Sequence, residues 1–262
     1  PSRSAVPGSN VANASVTARG AAFHIATDIP VSAYDILPYG GASSYLPNAE
    51  LVFPTTAWGT NYLGIVPPRG TLAFPQWGQI VAAQDGTQVT VFPNVALPSG
   101  TNVSAAPANQ ATVYTLNAGE FIQWQDSNEM SGTVVQSTAP VGFIGGTTYD
   151  CYKSATDPGG GGCDSAHQQV PRVSAMGSEY VVAPYTTRMA SLADESEDYR
   201  IVGGVTGTTL IYDPPVSGAP ATLAVDQVVD FETKGAFVVK SQDAQHPFFI
   251  AQIMTECSVT GG

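Results

Sequence analysis

"GQIVAAQDGTQVTVFP", from Gly78 to Pro93, and "YRIVGGVTGTTLIYDP", from Tyr199 to Pro214, are two versions of one pattern. Each has a run rich in Val and Ile, a turn closing on glycine, and a second run in which apolar and polar residues alternate. Alternation with period two sends one set of side chains to a core and the other to water, so each run reads as a strand. In Asp85-Gly86 and Thr206-Gly207 the glycines sit where a two-residue hairpin turn between paired strands demands positive φ.

The correspondence continues outward. "AWGTNYLGIVPP" (57–68) matches "AMGSEYVVAPYT" (175–186), "TLNAGEFIQW" (115–124) matches "TLAVDQVVDF" (222–231), and "TVVQSTAPVGFIGG" (133–146) matches "FVVKSQDAQHPFFIAQ" (237–252). The matches keep one order at roughly 105 to 120 residues apart, the mark of a tandem duplication. Pro or Gly interrupts almost every window long enough for a helix. The expected fold is all-β: tandem antiparallel β-sandwich units, Ig-like or jelly-roll-like, of about six or seven strands each. A β-propeller-like arrangement is the alternative, because a hairpin from one end of a propeller chain completes the blade at the other.

A third copy of the last element stands near the start as "FHIATDIPVSAYDI", Phe23 to Ile36, with the same strand, polar turn, proline and strand. The expected organisation is an N-terminal segment 1–40 holding this half-repeat hairpin, a first sandwich 41–148, a Gly-rich linker loop 149–169 and a second sandwich 170–262. An isolated closing hairpin offers unpaired edges for assembly, with Phe23, Ile25, Val31 and Tyr34 as its apolar contacts.

Only 11% of residues are Asp, Glu, Lys or Arg, and 21 acids against 9 bases leave a net charge of −12. The bases are scattered singly, which argues against nucleic acid, since phosphate binding needs clustered cations. An anionic membrane surface is disfavoured for the same reason, and no apolar run is long enough to span a bilayer. "PSRSAVPGSNVANAS" at the start has neither an initiator Met nor an apolar signal core, as expected of a mature or trimmed chain whose leader is absent. The composition is that of an exported protein at the cell surface or beyond.

Chemistry would be sought first in "DCYKSATDPGGGGCDSAHQQ", residues 150–169. Zinc wants four N or S ligands at tight spacing, and only Cys163, Asp164 and His167 are close here. A Cys163–His167 nucleophilic pair lacks a third group to orient the base. In an exported acidic β-protein the default is a Cys151–Cys163 disulfide, worth about 3 kcal/mol in the loop-entropy model. Cys257 is then the odd cysteine. The run "ADESEDYR" packs Asp194, Glu195, Glu197 and Asp198 together; a solvated loop is the bland reading and a Ca²⁺ site the alternative, although the spacing fits no EF-hand. His24 and His246 lie in or beside the repeated hairpins and read as structural. No G-x-S-x-G, P-loop or H-E-x-x-H motif occurs, so no enzyme is expected and no cofactor beyond that Ca²⁺ alternative. Sequons at Asn13 and Asn102 are short and common.

Several of these blocks taken together, "IPVSAYDILPYGGASSYLPNAELVFPTTAWGTNYLGI", "CDSAHQQVPRVSAMGSEYVV", the two turn segments and "HPFFIAQIMT", resemble the N-terminal domain of the IgGFc-binding protein family, most closely its bacterial, myxobacterial-type members. The resemblance runs from about Phe23 to Thr255. It implies a secreted or surface-exposed module of a larger extracellular protein, and it carries no binding residues over to this chain.

The expected function is a non-catalytic binding or adhesion module for an extracellular protein or glycan. Trp58, Trp77 and Tyr152 are candidate aromatic anchors, for each of which core packing is an equal reading. The alternative is a structural subunit that self-associates into an extracellular filament or sheath by strand complementation. A hydrolase using Glu195 or Asp198 is the least favoured reading.

Overall fold

A computed structural model describes residues 16–37, 48–70, 72–156 and 163–255. Among the described residues strand accounts for 49% and helix for 3%, so the fold is all-β. It divides into two compact units. The first comprises Pro1–Pro67, Phe74–Tyr149 and Ser165–Ser174, the second Pro68–Ala73, Asp150–Asp164 and Ala175–Gly262.

The strands of the first unit are β1 (Ala18–Ala21), β2 (Ala33–Leu37), β3 (Asn48–Val52), β4 (Gly59–Leu63), β5 (Gln76–Ala82), β6 (Thr87–Phe92), β7 (Thr112–Leu116), β8 (Glu120–Asp126), β9 (Val134–Asp150) and β10 (Asp164–Val170). Eight of them form one sheet in the order β1-β8-β5-β9-β6-β7, with β4 and β10 also on β9. The sheet curls because β9 serves two layers: Val134–Ser137 pair with β6, and Val141–Thr147 pair with β5. Between them lies Pro140, which has no N–H to give to a ladder. Along β6 burial alternates, with Val89 and Val91 fully inside, as the period-two pattern requires. Ile80, Val91, Leu97, Trp124, Val135 and Phe143 surround a void of only about 10 Å³, so this interior is close-packed.

In the second unit β11 (Glu179–Val182), β16 (Phe237–Ser241), β13 (Thr208–Asp213) and β14 (Thr222–Leu223) form one sheet in that order. The other sheet holds β15 (Val228–Thr233), β12 (Glu197–Gly203) and β17 (Phe248–Ile253). Both contribute to a single core, with Leu210, Leu223, Phe237 and Val239 from the first and Tyr199, Ile201, Phe231 and Phe248 from the second. A sandwich is therefore the architecture of this unit, and neither unit is a ring of propeller blades.

The second unit repeats the strand order of the first, and individual hydrogen bonds recur. Tyr62 Oη accepts from Gly59 N and donates to Val141 O; Tyr180 Oη accepts from Gly177 N and donates to Phe248 O. Thr87 and Thr208 donate to the carbonyls of Gln84 and Val205. Gly86 and Gly207 have the positive φ that their turns demand, +67° and +83°. These turns are not hairpins between paired strands, however. β5 pairs with β8 and β9 while β6 pairs with β7 and β9, and β12 and β13 lie in different sheets, so each turn hands the chain from one layer to the other.

Phe23 to Ile36 does not close into a hairpin on itself. Residues 22–32 contain no strand, and β2 pairs with β3 instead, from Ala33↔Val52 to Leu37↔Asn48. Residues 149–169 hold the end of β9, the linkage of Cys151 to Cys163 and most of β10. Cys257 and Asn13 lie outside the described residues.

Candidate functional site

The second unit contains an open cavity of about 350 Å³. Its construction starts at Asp150, a fully buried carboxylate that accepts from Gly70 N at 2.8 Å, Leu72 N at 2.9 Å and Cys151 N at 2.9 Å. These bonds strap Gly70 and Leu72 against the start of the disulfide loop. Position 70 must be glycine, because a Cβ there would fall 2.2 Å from Cys151 O. The same part of the loop is also tied to β15 and to the residue before β12: Glu232 accepts from Ala155 N and Ser196 Oγ, and Thr156 Oγ1 accepts from Ser196 N.

Arg69 and Gly70 from the strap, Tyr152 and Lys153 from the loop, and Asp198 on β12 with Asp230 on β15 line the cavity. Cross-strand register sets the acids side by side, since Asp198 faces Glu232 and Arg200 faces Asp230. Arg200 grips Asp230 through Nε at 2.7 Å and Nη2 at 2.8 Å, a bidentate charge-assisted pair. Asp198 has no such partner among the described residues. Burial, reinforced by the charges of Glu232 and Asp230, pushes its carboxyl up to about 7. Arg69 and Lys153 are exposed and leave this acid uncompensated.

A second polar cluster belongs to the first unit. His167 on β10 is 8% exposed; its Nδ1 is 2.5 Å from Asn48 Nδ2, and its Nε2 is 3.3 Å from Glu50 Oε2 and 3.7 Å from Asp35 Oδ2. The Trp77 ring lies 6.0 Å from the imidazole. Burial pushes the Glu50 carboxyl up to about 7, whereas the His167 imidazole beside it lowers that of Asp35. With Gln169, whose side-chain oxygen accepts from Phe53 N, His167 ties the β2–β3 pair to β10.

The other sequence candidates fall as follows. Cys151 and Cys163 are joined in a disulfide. Trp58 and Trp77 pack against glycines of β9; a Cβ at Gly142 would be 2.8 Å from the Trp58 ring, and one at Gly146 2.5 Å from that of Trp77. Tyr152 is buried in the cavity wall. The four acids of "ADESEDYR" do not converge. Glu195 is held by Arg188 at 2.6 Å, Glu197 accepts from Tyr185 N, Asp194 is exposed, and Asp198 turns into the cavity. Among the described residues no group of three or more His, Cys, Asp or Glu is arranged to hold a metal ion. No helix of the described residues is long and apolar enough to cross a membrane. Sequence reading missed the partnership of Asp198 with Asp230 and Glu232; the available signal was an acid alternating with Arg200 within an otherwise buried strand.

Comparison with known proteins adds three findings. A family model described as IgGFc binding protein matches residues 48–262. The IgGFc-binding protein of Homo sapiens is 27% identical over 185 residues, covering 70% of this chain and 3% of that protein, so the chain spans a small fraction of its relative's length. No solved structure matches the chain.

Proposed function

Because the chain belongs to the IgGFc binding protein family, we propose that it is a non-catalytic extracellular or cell-surface module that binds another protein, receiving one of its basic side chains in the cavity of the second unit. The observation that carries this reading is Asp198, a carboxylate without a counter-charge set in an open 350 Å³ cavity beneath a disulfide-tied loop. Pockets formed by a loop on a rigid sheet are common sites of recognition. A lysine or arginine entering here would relieve the repulsion that Asp230 and Glu232 impose on Asp198. The relative is named for binding an immunoglobulin fragment, which makes the Fc fragment the first partner to try. The disulfide supports an oxidising, extracellular setting. The shared strand order and hydrogen bonds of the two units support an internal duplication.

The test is surface plasmon resonance against immobilised extracellular proteins, the Fc fragment among them, beside a glycan array. The reading expects a protein ligand whose affinity drops about tenfold or more in Asp198→Asn, the scale of a charge-assisted bond. Binding to glycans alone, or to proteins without any dependence on Asp198, would overturn it. A second reading, a subunit of an extracellular filament or sheath, is favoured by the exposed apolar run at residues 23–36.

A further inference from the structure

Phe23, Ile25, Ile29 and Val31 are 80%, 74%, 65% and 59% exposed, in a segment whose backbone has no strand partner among the described residues. Exposed apolar side chains standing singly need no explanation, but a contiguous run marks a contact surface. The sequence shows what kind of contact. "HIATDIPV" (24–31) aligns without a gap on "VVQSTAPV" (134–141) of β9, and, allowing three more residues in the turn of the second unit, Phe23, Ile25 and Pro30-Val31 align on Phe237 and Val239 of β16 and on Pro247-Phe248 at the start of β17. In the two complete units these positions are the spine of the core. Val135, Val141, Val239 and Phe248 are all 0% exposed, and Phe237 is 3% exposed.

The turn geometry is shared as well. Ser137 Oγ donates to Ala139 O at 2.7 Å in the first unit, and Ser241 Oγ donates to Asp243 O at 3.1 Å in the second. In the exposed segment Thr27 Oγ1 donates to Ile29 O at 2.8 Å, the same hydroxyl-to-carbonyl bond two residues on. The segment thus keeps both the apolar pattern and the turn of a closing strand pair, and lacks only the sheets to close.

We propose that residues 23–32 are a donor arm: they complete a β-sandwich unit of this same kind that lacks its own closing strand. In both units the first of the closing strands is central: Val134–Gln136 of β9 pair with β4 on one side and β6 on the other, and β16 lies between β11 and β13, while β17 is an edge strand beside β12. An open unit therefore presents a slot bounded by strand edges on both sides, and insertion satisfies two ladders at once. This deepens the strand-addition reading by naming the acceptor, and its test does not require a filament to form.

The test is a graft within the full chain. Residues 134–141 are replaced by the arm's "HIATDIPV", and in a control by the same eight residues in shuffled order. Trp58, Trp77 and Trp124 all lie in the first unit, so tryptophan fluorescence reports its unfolding. The graft should keep one cooperative transition with a melting midpoint near the parent's, and the shuffled control should lose it. Equal behaviour of graft and control would overturn the proposal. Hydrogen exchange on the unaltered chain is the second measurement. Amides 23–32 should exchange at unprotected rates, and protection comparable to that of β6 would show that the arm already has its partner and would also overturn the proposal.

Discussion

Replacing Glu50 by Gln should remove a pH dependence that the structure builds into the first unit. The carboxyl is 2% exposed, and burial raises its pKa from 4.5 to about 7, with Asp35 adding to the rise and His167 opposing it. A folded-state pKa above the unfolded one means that the folded chain holds the proton more tightly. Stability is therefore full below pH 4.5 and falls as the pH rises to about 7. At about 1.4 kcal/mol per pH unit, that window is worth about 3 kcal/mol. The lowered pKa of Asp35 acts in the opposite sense and only in acid, where its stabilisation is lost as the pH falls below 3.8. Glutamine has no proton to lose, so Glu50→Gln should retain between pH 4.5 and 8 about the 3 kcal/mol that the parent gives up. Urea unfolding followed by tryptophan fluorescence reads this unit alone. Parallel loss of stability in parent and variant across the range would refute the reasoning.

Three further outcomes separate the two units. Tyr62→Phe deletes a buried hydroxyl that serves Gly59 N and Val141 O, and should cost about 1–3 kcal/mol in the fluorescence-detected transition; no change would mean that water replaces it. Gly146→Ala drives a methyl to 2.5 Å from the Trp77 ring, and should cost about 1–3 kcal/mol and shift that residue's emission. Cys163→Ser opens a loop with a sequence separation of 12 and should lower the stability of the second unit by about 3 kcal/mol, read by hydrogen exchange in β12 and β13, while the tryptophan-detected transition stays in place.

The strands were readable because half-buried sheets write their period into the chain, as "TQVTVF" does with Val89 and Val91 inside. The positive φ of Gly86 and Gly207 was readable too. What those turns connect was not, since the same local chemistry serves a hairpin and a step between layers. The continuity of β9 was hidden by Pro140, which in sequence looks like an ending and in the fold is a bend. Both polar sites depend on partners remote in the chain: Asn48 meets His167 across 119 residues, and Arg200 meets Asp230 across 30. Such pairs leave no local periodicity. The disulfide did leave a local signal, two cysteines flanking a Pro-Gly loop.

The most direct measurement is a carboxyl-carbon NMR titration of Asp198, alone and with saturating Nα-acetyl-lysine methylamide. A cavity that takes a basic side chain predicts a midpoint near 7 for the free protein, falling by about one unit or more when the ammonium group sits beside the carboxylate. Superimposable titration curves with and without the lysine probe would contradict it.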